Sequence, residues 1–378
     1  MALLCPATMY AQKSKVLAAY NYELSYTQSL DCKELGKAVQ AIEMSLTDEK
    51  TIAWAKTWYY RGNIYYNVYI SQDPACKALS PTALDLAHES YEKALEYDEK
   101  DRYKKEVEPK MSVIANLYLL RGAEYFNVKE FESALNDFER SIQISHKFGK
   151  TDSTALYNAA LASEKIKNYS KAAMYYEGLI DIGYNEARIF HFLSEANLNL
   201  GDTAKALQAI MSGRKLYPRN QDLIIDELNF YLQSGETDRA LNNLNEAISE
   251  MPDNAQLFFA RGTLLDKQGE WEKARDAYLK ALEISPNDFG SNYNLGALYF
   301  NKGVEYVDKA ANYSESQVAE FKEAEQKSKS FFDLSLPYLE KANELDPHDR
   351  ATMTSLKNLY SRTGNDAGYK RISEILDN

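Results

Sequence analysis

A period of 34 residues is the feature of this sequence that most constrains its fold. Within residues 255–288, small residues, an aromatic residue and a proline stand at fixed offsets: Gly262, Ala274, Tyr278, Ala281 and Pro286. Similar residue types return 34 positions earlier, and again 34 positions before that. A fixed period of this length is typical of a chain built from stacked supersecondary units.

The residue types at these offsets describe a pair of helices. The small residues fit where two helices cross closely, the aromatic residue fills the wedge between them, and the proline ends the second helix. Glycines that we expect to end first helices follow the same spacing, because glycine readily takes the left-handed conformation that stops a helix. They are Gly201, Gly235, Gly269, Gly303 and Gly364. The sequence therefore predicts an all-α chain without β-sheet.

The pattern resembles the tetratricopeptide repeat (TPR), a helix–turn–helix unit of 34 residues. The resemblance implies an α-solenoid, a right-handed superhelix of stacked TPR units. Full or near-full units are predicted at 115–148, 153–186, 187–220, 221–254 and 255–288. Longer units are predicted at 55–100, with 13 inserted residues, and at 289–348, with 27 inserted residues. Degenerate helix pairs at 14–48 and 350–378 are expected to cap the two ends.

The longer insertion, at about residues 304–330, is itself expected to be helical. Residues 316–329 are rich in Glu, Lys, Gln and Ala and contain neither Gly nor Pro. These residues favour a helix. We therefore expect the helices of the last repeat to extend into a longer hairpin, with Pro337 kinking the second helix.

The charge of the chain argues against two classes of partner. The net charge is −12 and the isoelectric point is about 5.1, so nucleic acid and anionic membrane surfaces are not expected to bind. No segment approaches the roughly 18 consecutive apolar residues of a membrane helix, so direct membrane insertion is not expected either.

The N-terminus resembles the end of a secretory signal peptide. Residues 2–11 are mostly apolar and end in Ala11, and polar residues follow. Residues 1–13 are therefore interpreted either as a truncated signal peptide or as a disordered N-terminus. The first interpretation predicts a periplasmic or otherwise exported protein, and the second leaves the protein in the cytoplasm.

Two cysteines bear on the same question. Cys32 is predicted at the turn into the second helix of the N-terminal pair, and Cys76 lies in the insertion of the next repeat. Such turns line up along one edge of a solenoid, so the two thiols could form a disulfide in an oxidising compartment. The alternative is two unrelated free thiols, and the sequence leaves both open.

Motifs for catalysis or metal binding do not stand out. The histidines are far apart and have no cysteine or carboxylate partner at ligand spacing; they are His88, His146, His191 and His348. No phosphate-binding glycine loop or nucleophile elbow is present. We therefore predict no enzymatic activity, no catalytic residue, no metal site and no cofactor.

The resemblance implies that first helices line a concave groove, into which the fifth and twelfth places of each repeat point. Places seven residues apart lie on one helix face. Candidate partner-binding residues at the fifth place are Tyr59, Leu119, Tyr157, His191, Phe259 and Tyr293. Those at the twelfth place are Tyr66, Phe126 and Phe300, and asparagines at the ninth place are Asn63 and Asn229. Alternatively, the apolar members pack against second helices and leave a polar groove.

The function expected from these features is binding. We predict a non-enzymatic scaffold that binds a protein or an extended peptide in the concave groove, at the terminal repeats, or at both, in the bacterial cell envelope. A rigid array presents its contacts with little ordering cost on its own side. The alternative is a glycan-binding module of an outer-membrane uptake system. The oligomeric state stays open.

Overall fold

The computed structural model describes residues 6–184 and 186–377. The first residues of the predicted signal-peptide remnant, including Cys5, lie outside the described residues, and the first helix begins at Pro6. The described chain is all-α, as predicted, and none of its residues forms a β-strand. None of the described helices combines the length and apolar character needed to cross a bilayer.

The helices alternate between the first and second members of successive pairs. First helices are α1 (Pro6–Ser29), α4 (Ala55–Ile70), α7 (Lys104–Asn127), α9 (Ser153–Lys165), α11 (Ala187–Asn199), α13 (Gln221–Gln233), α15 (Ala255–Lys267), α17 (Phe289–Ala311) and α19 (Arg350–Thr363). Second helices are α2 (Cys32–Ser45), α6 (Ala83–Glu96), α8 (Phe131–Lys147), α10 (Tyr169–Asp181), α12 (Thr203–Leu216), α14 (Thr237–Glu250), α16 (Trp271–Ile284), α18 (Val318–Leu345) and α20 (Asp366–Asp377). Two short helices, α3 (Glu49–Ile52) and α5 (Pro74–Lys77), lie between the longer ones.

The chain divides into two compact units, residues 1–206 and 207–378. In the first unit the core runs from α1 to α8 and includes Tyr91 and Tyr118, both fully buried. In the second unit three apolar clusters follow one another from α13 to α20. Within each unit the long helices of one pair pack on the next pair in the chain, which is the arrangement of an α-solenoid.

The repeat signature marks the crossing points of the helix pairs. A Cβ atom added to Gly62 would lie 2.5 Å from the Tyr91 ring, and one added to Gly262 would lie 2.7 Å from the Tyr278 ring. Ala274, Tyr278 and Ala281 are fully buried. The small residue and the aromatic ring are therefore complementary in size, and together they set how closely two helices approach.

The turns mostly follow the expected chemistry. Gly201, Gly235 and Gly269 have φ values of 78°, 75° and 78° directly after first helices, which only glycine adopts without strain. The prediction for Gly303 was wrong. Gly303 is buried inside α17, where an added Cβ atom would lie 2.6 Å from the Phe332 ring, so this glycine permits a helix crossing and does not end the helix.

Two first helices are longer than the repeat length alone implies. Helix α7 begins at Lys104 and contains Pro109, and its added turns bury Val107 and Met111. Helix α17 runs on to Ala311, and α18 begins at Val318 and contains Pro337. The residues inserted in the last repeat therefore form an extended helical hairpin.

Candidate functional site

Four tyrosine rings at the first helices of the N-terminal repeats contact one another in a row, and a fifth, that of Tyr66, follows Tyr59 on the same face of α4. This cluster, called the tyrosine surface below, consists of Tyr20 on α1, Tyr59, Tyr60 and Tyr66 on α4, and Tyr103 directly before α7. The rings of Tyr20 and Tyr60 stack with centroids 4.7 Å apart, and those of Tyr59 and Tyr103 stack at 5.0 Å. Tyr59 and Tyr60 join the two stacks at 5.7 Å. All five side chains are only partly buried, so each ring keeps part of its surface accessible.

Charged groups surround the rings. The Lys56 ammonium lies 5.4 Å from the centroid of the Tyr60 ring, and the Lys110 ammonium lies 5.9 Å from that of Tyr66. These distances permit cation–π attraction. The Tyr59 hydroxyl donates a hydrogen bond to Glu106. The surface therefore combines aromatic area with groups of both signs.

The hydroxyl groups of Tyr59 and Tyr60 stay protonated at neutral pH. Burial raises the pKa of Tyr59 to about 12, and the hydrogen bond to Glu106 adds to this effect. Burial also raises the pKa of Tyr60 to about 12, with smaller contributions from Tyr103 and Tyr20. The Tyr60 hydroxyl can therefore donate a hydrogen bond to a ligand, and the Tyr59 hydroxyl, whose proton is donated to Glu106, can accept one. A pocket of about 270 Å³ adjoins Tyr103 and is also lined by Trp54 and Tyr97.

The predicted residues near this surface have different roles. The side-chain oxygen of Asn63 accepts a hydrogen bond from the Tyr91 hydroxyl at 2.9 Å. This oxygen is therefore already engaged within its own repeat. Tyr59 and Tyr66 pack at the edge of the apolar core while remaining partly accessible. The structure therefore brings Tyr59, Asn63 and Tyr66 together on one helix face.

The other predicted residues of the first unit are spread over separate helices. Leu119 is half-buried on α7, and Phe126 contacts Phe131 of its own pair edge-on, with centroids 5.1 Å apart. Tyr157 stacks with Tyr184 at 6.5 Å, and His191 contacts Phe192 and Glu195. The ring contacts described for these side chains lie within their own repeats and do not reach the tyrosine surface.

Most predicted residues of the second unit take part in packing. Phe259 lies over Gly290, where an added Cβ atom would stand 2.9 Å from the ring, and its centroid is 6.1 Å from that of Tyr278. Phe300 contacts Phe332 at 5.5 Å. Tyr293 packs beside the same apolar cluster. Asn229 is exposed. The aromatic members therefore contact neighbouring helices, and their role in partner binding stays a prediction.

Sequence reasoning missed three members of the tyrosine surface. Tyr60 occupies the sixth place of its repeat, Tyr20 lies in the degenerate N-terminal pair, and Tyr103 lies in a connection. None of these positions belongs to the fifth or twelfth column. The available signal was the local density of tyrosine around Tyr59 and Tyr60 in a chain with 29 tyrosines.

The two cysteines are neighbours. Cys32 at the start of α2 and Cys76 in α5 form a disulfide, with Cα atoms 5.2 Å apart. Cys76 is fully buried. The pair therefore ties the insertion of the 55–100 repeat to the N-terminal helix pair. Within residues 6–184 and 186–377, these cysteines and Asp73 are the one group of three that could face a metal ion, and the disulfide occupies both sulfur atoms.

Parts of this chain match one family model and several known proteins. A family model described as TPR repeat matches residues 264–303. Protein O-mannosyl-transferase TMTC3 of Homo sapiens is 27% identical over 168 residues, which cover 40% of this chain and 18% of the transferase. Photosystem I assembly protein Ycf3 of Acaryochloris marina is 29% identical over 133 residues, which cover 34% of this chain and 72% of that protein. The chain thus spans less than a fifth of the transferase.

Solved structures of low sequence identity also align. A TPR repeats protein from Bacteroides fragilis is 20% identical, with a TM-score of 0.35, and the alignment covers 66% of this chain and 98% of that one. The C-terminal part of a TPR repeat-containing protein from Cytophaga hutchinsonii is 13% identical, with a TM-score of 0.48 and coverage of 68% and 93%. Residues 264–303, which run from the end of α15 through α16 into α17, therefore match the tetratricopeptide-repeat family directly.

Proposed function

We propose that this chain is a non-enzymatic scaffold that binds a protein or peptide partner through the tyrosine surface. The observation that carries the proposal is a row of partly accessible rings on α1, on α4 and directly before α7, in which two stacked pairs are joined by the tilted contact of Tyr59 with Tyr60. Tetratricopeptide-repeat proteins generally mediate protein–protein interactions, and the fold generally serves binding and not catalysis.

Tyrosine suits such a surface for physical reasons. Its ring supplies a large contact area, and its hydroxyl supplies a hydrogen bond at the edge of that area. Tyrosine is accordingly enriched among the residues that dominate binding energy at interfaces. Because the rings of Tyr20, Tyr60, Tyr59 and Tyr103 already contact one another, little side-chain entropy remains to be lost on binding.

The disulfide supports the second part of the proposal, that the protein is exported to the periplasm or an equivalent compartment. Structural disulfides persist in oxidising compartments and are rare in the cytosol. The pair Cys32–Cys76 closes a connection of 44 residues between the N-terminal helix pair and the next repeat. An oxidising compartment would keep this connection closed.

The experiment compares partner capture by three tagged proteins expressed in the native cell: the wild type, Tyr59→Ala/Tyr60→Ala and Tyr369→Ala. Tyr369 is an exposed tyrosine on α20, outside the tyrosine surface, and serves as the matched control. Crosslinking of intact cells with mass spectrometry identifies the partner. The affinity of the purified pair is then measured by calorimetry, and the circular dichroism of each variant shows that it is folded.

We expect a stoichiometric protein partner whose affinity falls at least about tenfold in Tyr59→Ala/Tyr60→Ala and stays unchanged in Tyr369→Ala. Equal affinity for all three proteins would remove the tyrosine surface from the proposal. Retention on polysaccharide without a protein partner would favour the glycan-binding alternative.

A further inference from the structure

The seventh place of four repeats holds a charged residue that lies between two second helices. These residues are Arg61, Arg121, Glu227 and Arg261. Three of them have a partner of opposite charge. Arg61 pairs with Glu43 at 2.8 Å, Arg121 with Asp137 at 2.6 Å, and Glu227 with Arg214 at 3.1 Å. A largely buried charge needs such a partner, because burial removes its hydration.

Arg261 departs from this pattern. Its side chain is half-buried on α15, and its Nη1 atom donates a long hydrogen bond of 3.4 Å to the amide oxygen of Asn245. Its guanidinium also lies 5.1 Å from the centroid of the Phe258 ring. In the part of the chain that the structure describes, no carboxylate forms an ion pair with it. Ala277 occupies the place at which Asp137 pairs with Arg121 in the earlier repeat.

A groove of about 530 Å³ opens at Arg261, between α14, α15 and α16. Asn242, Asn245 and Lys273 contribute amide and ammonium groups to its walls, and Asp238 and Asp276 contribute carboxylates. Asp276 is already paired with Arg275 at 2.7 Å, and Lys273 with Glu270 at 3.1 Å. Arg261 is therefore the cation of this groove whose charge is not matched by a neighbouring carboxylate.

We propose that this groove binds an acidic side chain of a protein partner, with Arg261 as the residue that pairs with the incoming carboxylate. The proposal rests on the proposed function of the chain as a protein-binding scaffold. The guanidinium offers several N–H donors in a planar fork that matches a carboxylate in a bidentate pair. The amides of Asn242 and Asn245 can donate to the same group.

Two further features bear on this assignment. Burial lowers the pKa of Arg261, which is the effect that an incoming carboxylate would offset. Asp238 occupies the repeat position of Asp85, whose carboxylate pairs with Arg121 at 3.2 Å. Asp238 is therefore the group within the chain that would compete with a ligand for Arg261. The net charge of −12 repels acidic peptides from the chain as a whole. A preference for an acidic over a neutral peptide would therefore come from a local positive site.

The test measures the binding of fluorescent acetyl-tetraglutamate amide to the full-length chain by anisotropy, at low and high salt, with the tetraglutamine peptide as the neutral comparison. The variants are Arg261→Gln, Asp238→Asn and Arg239→Gln. The last is the matched control, because Arg239 is an exposed arginine on α14 that does not line the groove. The thermal midpoint of each variant shows whether it is folded.

We expect the acidic peptide to bind the wild type about tenfold more tightly than the neutral one, since one charge-assisted contact supplies that difference. Arg261→Gln should remove this preference, Asp238→Asn should increase it, and Arg239→Gln should leave it within about twofold. Absence of binding to the wild type, or equal losses in Arg261→Gln and Arg239→Gln, would overturn the assignment. Tyr59→Ala/Tyr60→Ala should bind the acidic peptide as the wild type does. The peptide experiment therefore tests the groove proposal separately from the proposal that the tyrosine surface binds the partner.

Discussion

The ring of Tyr278 lies so close to Gly262 that a Cβ atom on the glycine would stand 2.7 Å from two ring carbons. The ring is fully buried, so it has no free space into which to move. One repeat earlier, Leu228 packs in the cluster that contains Leu244. The same helix crossing is therefore filled by a glycine and a tyrosine in one repeat, and by two leucines in the repeat before it.

This equivalence predicts a double-mutant result. Gly262→Leu should lower the free energy of unfolding by about 2 kcal/mol or more, because overpacking displaces the Tyr278 ring. Gly262→Leu/Tyr278→Leu reproduces the pair at 228 and 244. It should be less destabilised than the sum of the single variants by at least about 1 kcal/mol. Urea unfolding followed by circular dichroism measures all four proteins.

Gly178→Ala is the matched control for that cycle. Gly178 lies inside α10, and an added Cβ atom would be 3.9 Å from Leu156, which is an ordinary contact. Alanine there should stabilise the helix by about 0.5–1 kcal/mol. Additive behaviour of Gly262→Leu and Tyr278→Leu would show that the two positions do not determine each other's size.

Phe259 and Tyr278 should differ in what they contribute to stability. Tyr278→Ala should cost about 3–5 kcal/mol, as expected for truncation of a fully buried aromatic residue. Phe259→Ala should cost about 1–2 kcal/mol, because its ring is only partly buried over Gly290. Thermal and urea unfolding of both variants check this order. Equal costs would place Phe259 wholly in the core, and no cost for Phe259→Ala would mean that its contact with Gly290 contributes nothing.

The sequence predicted the helix crossings well because their determinants lie at fixed offsets within one repeat. A small residue at the eighth place and a bulky one sixteen places later must meet whenever the pair forms, as Gly122 and Phe138 do. The same reasoning failed for Gly303, because residue type alone does not distinguish a glycine inside a lengthened helix from a glycine at a turn. In the structure, the Phe332 ring beside Gly303 identifies this glycine as one at a helix crossing.

The candidate site was predicted less completely because it depends on residues outside the repeat columns. Tyr103 reaches the tyrosine surface from the connection before α7, which lies beyond the 34-residue pattern. The early start of α7 was also missed. Burial of Val107 and Met111 there outweighs the helix-breaking tendency of Pro109. Such tertiary contacts do not follow from local spacing.

The disulfide should make the stability of the first unit sensitive to reductant. Reduction, or Cys32→Ser/Cys76→Ser, should lower the free energy of unfolding by about 2–4 kcal/mol, because the 44-residue connection is then open in the unfolded chain. The double variant should no longer respond to reductant. Thiol titration of the denatured, non-reduced chain should find one free thiol of the three cysteines, and three after reduction. Reactive thiols at both Cys32 and Cys76 before reduction, in the full chain or in an exported protein cleaved after Ala11, would contradict the pairing.

His88 should make the first unit less stable as the pH falls below neutrality. Its Nδ1 atom lies 3.3 Å from the Tyr118 hydroxyl, and its Nε2 atom is 3.8 Å from Glu92, beyond hydrogen-bond distance. Burial lowers the pKa of His88; Glu92 opposes this effect, and Arg140 adds to it. The unfolded chain therefore binds the proton more tightly than the folded one. The stabilising contribution is complete above the unfolded pKa of about 6.5 and is lost as the pH falls through the lower folded pKa.

Replacing the titrating group should remove this part of the pH dependence. Between pH values of about 7 and 5.5, the thermal midpoint of the wild type should fall more than that of His88→Gln, because glutamine takes up no proton in this range. His146→Gln is the matched control, since His146 is an exposed histidine on the neighbouring helix α8, and it should retain the wild-type dependence. Calorimetric scans in buffers of constant ionic strength measure the difference. A steeper loss in His88→Gln than in the wild type would reverse the sign of the argument, and equal slopes in all three proteins would assign the pH dependence to the carboxylates instead.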